Sequence, residues 1–425
     1  MIAALPAAKV TDVERILLFV PFVERVRREM ERARIHAWAE VEVIRVVTDA
    51  GVVGYGETIQ NYTWGRVNIA ERVLGRSPFN LMWDDSLGAG LQMALWDAAG
   101  KLAGVPIHAL LGKQVREWCP ISFWDHDMSP EKYEIEAKTA VGLGYTCMKI
   151  KTRPWFDVHE TIRRISAVTP DYFSIDSDWN DFLINVSTAV PVLRQLEEEF
   201  PKIKIFEGPI RADDVAGNKL LRQSIRTPIA HHYGSVPGRT AISEGYCDGF
   251  VIGGGVARTV ADGQAAAMAN MPFFLQMVGT GLTTTLALHL GAVLTHAQWP
   301  AITCHELYEH SLLTKRIEVV GGYAKTPDAP GLGVEIDEAA LAKYRVDKAP
   351  LELPKRLIKY SRACGVSVYF ANNSHNTSQM WDYFAKGNQP AYERGVTTEL
   401  LDDDGSEDFA DLHARAEVAP VLTYQ

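Results

Sequence analysis

Eight short apolar segments recur between residues 119 and 306, and they constrain the fold more than any other feature. Consecutive segments end roughly 20 to 31 residues apart, the length of a parallel strand with its return helix. Eight such units predict the α/β class, as a closed (β/α)7β TIM-like barrel, and an open doubly wound sheet is the alternative. The segments are CPISFW (119–124), TCMKIK (146–151), YFSIDSD (172–178), KIKIFE (ending at Glu207), TPIAHH (227–232), GFVIGG (249–254), PFFLQM (272–277) and AITCHE (301–306).

The residues before this series show different sequence patterns. Residues 35–57 alternate apolar and polar side chains around a DAG turn, which predicts a β-hairpin. A helical pattern follows and ends at Gly104 and Pro106. We therefore predict an α+β capping domain over residues 1–117 and the barrel over 118–322. Residues 323–425 are predicted to return to the cap and to continue as an extension.

Composition excludes several classes of protein. The 425 residues carry a net charge of −10 with no long basic block, so nucleic acid is not an expected partner. No run of about 18 apolar residues offers a membrane span. The five cysteines form no CxxC pair and are odd in number, which indicates reduced thiols. A cytoplasmic protein is expected.

Two lysines end the second segment of the series. Active sites of parallel barrels lie at the carboxyl ends of the strands. Lys149 and Lys151 are two residues apart, so both side chains point to the same side of a strand. A lysine crowded by another cation and partly desolvated has a lowered pKa and can act as a base. Two lysines in a solvated loop are the alternative, which the apolar Met148 and Ile150 disfavour.

Carboxylates end the next two segments. Asp176 and Asp178 share one face of the third segment, and Glu207 ends the fourth. Carboxylate oxygens are the ligands that Mg²⁺ prefers, so these residues predict a magnesium site. Helix N-capping is the alternative for Asp178 or Asp181 alone. It does not explain Asp176 and Glu207 together.

The chain resembles the mandelate racemase/muconate lactonizing branch of the enolase superfamily over roughly residues 10 to 340. Lys149-Ile150-Lys151 matches the Lys-x-Lys motif of the second barrel strand. The other matching segments are Gly54-Tyr55-Gly56-Glu57, ALWDAAGKLAGVPIHALLGK (94–113) and PDAPGLGVEIDE (327–338).

This resemblance implies a chemistry. Members bind Mg²⁺ through acidic residues on three successive strands, the metal chelates the substrate carboxylate, and a base removes the α-proton to give an enediolate. Asp176 matches the first metal ligand, with Asp178 as a rival, and Glu207 matches the second. Lys151 is expected to be the base, and Lys149 to hold the substrate carboxylate or to depress the pKa of its partner.

The chain departs from the family pattern on three strands. The fifth strand ends in His231-His232-Tyr233, and Tyr233 stands where the third acidic ligand is expected. Strict alternation places His231 with Tyr233, but a bulge at the strand end would turn His232 inward. We favour His232, either as third metal ligand or as the acid that protonates a leaving hydroxyl.

The other two departures concern the family's His–Asp dyad. The aspartate is replaced near Gly253, and Gln276 stands in place of the histidine. A glutamine amide does not transfer protons as imidazole does, so two-base racemisation is disfavoured. Glu306, at the eighth segment, remains a candidate catalytic residue.

These residues favour a Mg²⁺-dependent lyase that removes the α-proton of a hydroxylated carboxylate, such as an acid sugar, and expels the β-hydroxyl. A racemase, epimerase or cycloisomerase of the same superfamily is the alternative, and a barrel that only binds a ligand is another. The polar segment 20–38 is expected to form a loop over the site. The expected partners are a small carboxylate and further copies of the chain in a homo-oligomer.

Overall fold

The computed structural model describes residues 8–60, 70–372, 378–388 and 392–424. No helix within these ranges is both long and apolar enough to cross a bilayer. The strands are β1 (Val10–Phe19), β2 (Glu40–Thr48), β3 (Val53–Ile59), β4 (Trp118–Trp124), β5 (Cys147–Lys151), β6 (Ser174–Asp178), β7 (Ile203–Glu207), β8 (Ile229–His232), β9 (Gly249–Ile252), β10 (Phe273–Leu275), β11 (Ala301–Ile302), β12 (Val319–Val320), β13 (Tyr323–Lys325), β14 (Arg356–Ser361), β15 (Val366–Ala371), β16 (Thr397–Asp402) and β17 (Val421–Tyr424).

The helices alternate with the strands through the middle of the chain. They are α1 (Glu24–Arg32), α2 (Ala70–Val73), α3 (Ala89–Ala103), α4 (Ile107–Leu111), α5 (Pro130–Gly142), α6 (Val158–Val168), α7 (Val186–Glu199), α8 (Val215–Ser224), α9 (Gly238–Glu244), α10 (Val256–Met268), α11 (Gly281–Val293), α12 (Glu338–Tyr344), α13 (Ser378–Ala385) and α14 (Glu407–Val418). Each of the eight predicted segments contains a strand, β4 to β11, so the series is confirmed. The segment 20–38, predicted as a loop, contains α1 instead, because Val26 and Met30 are spaced one helical turn apart and are buried.

The chain forms two compact units. The first comprises residues 1–23, 37–124 and 250–350, and the second comprises residues 24–36, 125–249 and 351–425. The predicted domain boundaries at 117 and 322 stay predictions.

The first unit contains a three-stranded antiparallel sheet in the order β1-β2-β3. The predicted hairpin is confirmed, since β2 pairs with β3 from Val41 opposite Ile59 to Val47 opposite Val53. Helix α3 packs on this sheet at Gly54 and Gly56, where an added Cβ atom would collide with the helix backbone. These two glycines therefore set the close approach of the helix to the sheet.

The end of α3 is fixed by a glycine. Gly104 adopts φ +69° and donates its N–H to the carbonyl of Gly100, and this positive φ is unfavourable for residues with a side chain.

The segment that follows the barrel strands contacts α3, because the amide of Leu332 donates to Asp97 Oδ1 at 2.7 Å. The predicted return of residues 323–425 to a capping domain stays a prediction.

The barrel strands of the first unit are neighbours. β10 pairs in parallel with β9, Gln276 forms a parallel bridge to Ile302, and β11 pairs in parallel with β4. The first and last strands of the series are therefore hydrogen-bonded to each other. An open doubly wound sheet, the alternative drawn from the sequence, is wrong for this reason.

The second unit contains the parallel strands β5, β6, β7 and β8 in that order. Their register places Lys149 beside Asp176, Lys151 beside Asp178, and Asp178 beside Glu207. Polar residues at the helix starts, such as Asp157 for α6 and Asn185 for α7, cap the first turns. The capping residues leave Asp176 and Asp178 at the strand ends for other contacts.

Residues 351–424 of the second unit form an extension with its own sheet, in the order β16-β14-β15-β17. Its core joins Leu357 and Ala371 of the sheet to Phe409 and Ala416 of α14. Sequence analysis assigned this extension no structure, and the alternation of apolar residues in RLIKYS and VSVYFA was the signal for it.

Candidate active site

Lys149 is buried within β5 and pairs with two carboxylates. Its Nζ donates to Glu207 Oε2 and lies 3.3 Å from Asp178 Oδ2. Burial opposes the charge of this ammonium, but the charges of Glu207 and Asp178 outweigh burial and raise the pKa of Lys149. Lys149 is therefore held protonated, which suits it to bind a carboxylate.

Lys151 lies at the end of β5 and is the more accessible lysine. Its Nζ donates to Asp178 Oδ2 and lies 3.3 Å from Asn180 Oδ1. Burial is the main cause that lowers the pKa of Lys151. Asp178 opposes this shift, while the charges of Lys149 and Arg153 add to it. Of the two lysines, Lys151 gives up its proton more easily.

The two aspartates of β6 have opposite environments. Burial would raise the pKa of Asp178, but the charges of Lys151 and Lys149 hold that pKa below its usual range. Burial, and next the charge of Glu207, raise the pKa of Asp176 well above its usual range. Asp176 Oδ1 is buried and has no hydrogen-bond partner among the described residues. Asp178 does not cap the following helix, because Asn185 does.

The two carboxylate oxygens of Glu207, at the end of β7, differ. One accepts a hydrogen bond, and the other accepts none from a described group. Oε2 accepts from Lys149, while no described group donates a hydrogen bond to the buried Oε1. His232 Nε2 lies 3.4 Å from Oε1. Glu207 and Asp176 thus each present a buried oxygen that is available to a cation.

The donor atoms of this cluster fit a magnesium ion. Mg²⁺ binds carboxylate oxygens, and in this cluster Asp176 Oδ1 and Glu207 Oε1 accept no hydrogen bond from the part of the chain that the structure describes. Within the described ranges, no three His, Cys, Asp or Glu side chains stand together as a ready metal-ligand group. In this cluster the ammonium groups of the two lysines pair with Glu207 and Asp178. An ion at Glu207 would compete with Lys149.

The two histidines of β8 have different surroundings. His231 is buried, its Nε2 lies 2.8 Å from Asn218 Oδ1, and its ring stacks on Tyr246 at 5.1 Å. Burial lowers the pKa of His231 to about 4. The side chain of His232 is 52% exposed and lies next to Glu207. The structure thus places His232 at the cluster and His231 behind the strand, while the role of His232 stays a prediction.

Gln276 and Glu306 lie in the first unit. The backbone of Gln276 follows β10, and a Cβ atom added at Gly253 would collide with its carbonyl oxygen. A glycine therefore fits where the family pattern has an aspartate. Glu306 is buried and accepts from Arg316 Nη2 at 2.5 Å, with His305 Nε2 at 3.4 Å. Their predicted catalytic roles stay predictions.

Sequence analysis missed two residues of the cluster. These residues are Arg153 and Asn180. Arg153 Nη2 donates to Asn180 Oδ1 at 2.7 Å, and Lys151 Nζ lies 3.3 Å from the same oxygen. The signal for Arg153 was the spacing of two that runs from Lys149 through Lys151. The cluster of the second unit therefore comprises Lys149, Lys151, Arg153, Asp176, Asp178, Asn180, Glu207 and His232.

Comparison with known proteins identifies the relatives of this chain. Residues 132–340 match the model of the enolase C-terminal domain-like family. The arabinonate dehydratase of Saccharolobus solfataricus is 25% identical over 346 residues, which cover 72% of this chain and 91% of that enzyme. The N-succinyl-L-Arg/Lys racemase of Bacillus cereus is 25% identical over 339 residues, which cover 72% of this chain and 90% of the racemase.

The fold has a counterpart among solved structures. A mandelate racemase/muconate lactonizing family protein from Azoarcus sp. EbN1 superposes with a TM-score of 0.66 at 23% identity, covering 80% of this chain and 98% of that protein. The predicted barrel with an α+β capping domain is confirmed by this likeness. The relatives include dehydratases, racemases, epimerases and cycloisomerases. Residues 132–340 thus match the enolase C-terminal domain-like family, and the relatives and structural neighbours of this chain are members of the enolase superfamily.

Proposed function

We propose that this protein is a magnesium-dependent lyase that removes the α-proton of a hydroxylated carboxylate and expels the β-hydroxyl as water. The observation that carries the proposal is the buried cluster of β5, β6 and β7. It gathers two lysines and three carboxylates, and neither Asp176 Oδ1 nor Glu207 Oε1 accepts a hydrogen bond from a described residue. Buried polar atoms are seldom left unpaired unless function requires them.

Asp176 and Glu207 would hold the magnesium ion, with Asp178 or His232 as a further ligand. Bound there, the ion would neutralise the negative charge that develops on the substrate carboxylate as the α-proton leaves. The protonated Lys149 adds a fixed positive charge beside the same group.

Lys151 takes the α-proton on its Nζ. The electrons of the broken C–H bond form a carbon–carbon double bond, and the bond from the β-carbon to its hydroxyl breaks. His232 donates a proton to the departing hydroxyl, which leaves as water. When the α-carbon of the substrate also carries a hydroxyl, as in an acid sugar, the product of this elimination is an enol. The enol tautomerises to a 2-keto acid, so no oxidant or reductant is consumed.

A racemase or epimerase is the second candidate, because one of the relatives is a racemase. Racemisation needs a second group that carries a proton to the opposite face of the α-carbon. The amide of Gln276 does not carry one. A one-base lyase therefore agrees better with the residues present, and a barrel that only binds its ligand remains the outcome if no proton exchange occurs.

A panel of hydroxylated carboxylates, incubated with the protein and Mg²⁺ in D₂O, tests the proposal. A lyase is expected to form a 2-keto acid from at least one compound, seen by NMR and by reaction with semicarbazide. Exchange of the α-proton without a keto product would indicate a racemase or epimerase instead. The absence of both, across acid sugars and substituted hydroxy acids, would contradict the lyase.

A further inference from the structure

The extension of residues 351–424 lies beyond residue 340, where the family match ends. Within the second unit it packs on the loops that follow β5 and β6. The ring of Trp381 lies 4.6 Å from that of Phe182, and the ring of Tyr392 lies 4.7 Å from that of Trp179. Thr398 Oγ1 donates to the carbonyl of Trp155. The extension is therefore built against the loops that continue from Lys151 and Asp178.

A cavity of about 310 Å³ lies between this extension and the rest of the second unit. Its apolar wall includes Phe370, Met380 and Trp381 from the extension, with Ile35 and Trp155 opposite. Ligand pockets for small molecules begin at about 300 Å³. A cavity of about 150 Å³ already holds benzene, so this one accepts a substituted or fused ring.

The charged residues at the edge of the cavity are paired with each other. Arg32 Nη1 lies 3.1 Å from Asp127 Oδ2, and Trp155 Nε1 donates to the same oxygen at 2.8 Å. Arg32 Nε also donates to Glu29 Oε2 at 3.0 Å. Because these charges compensate one another, they do not call for a charged ligand, and the aromatic wall selects an apolar one.

The cavity adjoins the lysine cluster through two residues. The hydroxyl of Tyr133 accepts from the amide of Lys151 at 2.9 Å and donates to the carbonyl of His126 at 2.7 Å, and His126 lines the cavity. Arg153, bonded to Asn180 of the cluster, has its guanidinium 5.1 Å from the ring centre of Trp381. Residues that line the cavity, His126 and Trp381, are therefore in contact with residues that bond to the lysine cluster, Tyr133 and Arg153.

We propose that the extension supplies a pocket for an uncharged, ring-sized apolar substituent on the substrate. The assignment to a substrate rests on the proposed function, whereas the pocket itself does not. Such a pocket narrows the proposed substrate class from fully hydroxylated acid sugars to hydroxy acids that carry an apolar ring at the end opposite the carboxylate.

Indole, a neutral ring without a carboxylate, tests the pocket by itself through isothermal titration calorimetry. The unaltered protein is expected to bind it, and Ala33→Phe to bind it at least tenfold more weakly, since Ala33 lines the cavity and is partly exposed. Ala103→Phe, a partly exposed alanine at the end of α3, is the matched control and should bind indole like the unaltered protein. If Ala33→Phe fails to fold, Ile35→Trp fills the same cavity. No indole binding, or equal binding by the filled variant, would overturn the pocket.

A second arm separates the pocket from the proposed chemistry. With Mg²⁺ in D₂O, 2,3-dihydroxy-3-phenylpropanoate is expected to react with a kcat/KM at least tenfold above that of gluconate, and Ala33→Phe should abolish this preference. Equal reaction of both acids would overturn the role in substrate selection. Indole binding without proton exchange from any acid would contradict the lyase and leave the pocket standing.

Discussion

Glu57 of the first unit and the buried carboxylates beside Lys149 in the second unit are held in opposite ways. In the first unit, Glu57 accepts from the amides of Thr280 and Thr283, at 2.7 and 2.8 Å, and from the hydroxyl of Thr280. Burial raises the pKa of Glu57 against these hydrogen bonds. In the second unit, Asp178 and Glu207 are crowded by ammonium groups, and Glu207 Oε1 accepts no hydrogen bond from a described group.

Under the proposed function, this difference separates a structural acid from acids that take part in the reaction. Glu57 joins β3 to the start of α11 through neutral donors, so its neighbours are satisfied without a ligand. The cluster around Lys149 concentrates charges of both signs where water is excluded, which costs folding free energy. Such a cluster is explained by a ligand that uses its charges.

The largest effect is expected from Lys151→Met. Removal of a general base slows proton transfer by about 100- to 10,000-fold. Asp178 keeps Lys149 at 3.3 Å, so the variant should still fold. The rate of α-proton exchange in D₂O, measured by NMR, checks this, with Lys138→Met on the exposed face of α5 as control. Exchange within threefold of the unaltered protein would show that Lys151 is not the base.

Lys149→Met should destabilise the second unit. The change leaves Glu207 and Asp178 buried with one cation fewer, and breaking a buried pair in this way costs about 3–5 kcal/mol. Urea unfolding measures the loss, and Mg²⁺ should reduce it because a divalent cation replaces the missing charge. An exposed pair such as Lys138–Glu134 contributes less than about 1 kcal/mol, so Lys138→Met is again the control. A loss that small for Lys149→Met would remove the contrast between the two units.

Acid should weaken the first unit through His289. Burial lowers the pKa of His289 to about 4, against an unfolded value of 6.5. Between pH 6.5 and 4 the unfolded chain therefore binds a proton that the folded chain does not bind. The contribution of His289 to the free energy of unfolding is fully present above pH 6.5 and is lost as the pH falls towards 4. The loss amounts to about 3 kcal/mol at most. Urea unfolding between pH 7 and 4.5 should show that the free energy of unfolding depends less on pH in His289→Gln than in the unaltered protein. The same pH dependence in both proteins would contradict the role of His289.

The smallest effect is expected from Glu57→Gln. A glutamine keeps the shape and still accepts from the amide of Thr280, so the free energy of unfolding should fall by about 1 kcal/mol, the value of one hydrogen bond. Urea unfolding measures it. A loss as large as that of Lys149→Met would show that Glu57 is ionised and that the two units do not differ as described.

Much of the fold followed from pattern. The spacing of the eight apolar segments located every barrel strand, because a parallel strand and its return helix have a characteristic length. The spacing of two in Lys149 and Lys151 placed both side chains on one side of β5. The choice of Lys151 as the base came from the family resemblance and not from the spacing, because the pKa of each lysine depends on where Glu207, Asp178 and Arg153 lie in space.

The fifth strand and the extension show where sequence reasoning ends. TPIAHH located β8, but only the contacts with Asn218 and Tyr246 show that His231 turns away from Glu207. The extension carries no catalytic motif, and its cavity arises from contacts between residues more than 200 positions apart, such as Trp155 and Trp381. Contacts of that separation are not encoded in local spacing.

Titration with Mg²⁺ by calorimetry tests most directly whether the cluster of the second unit is the reaction centre. The unaltered protein is expected to bind one ion, Glu207→Gln to bind it at least tenfold more weakly, and Glu57→Gln to bind it unchanged, because Glu207, unlike Glu57, has a buried carboxylate oxygen that accepts no hydrogen bond from a described group. Equal Mg²⁺ affinity of the unaltered protein and Glu207→Gln, or no binding by either, would contradict the account.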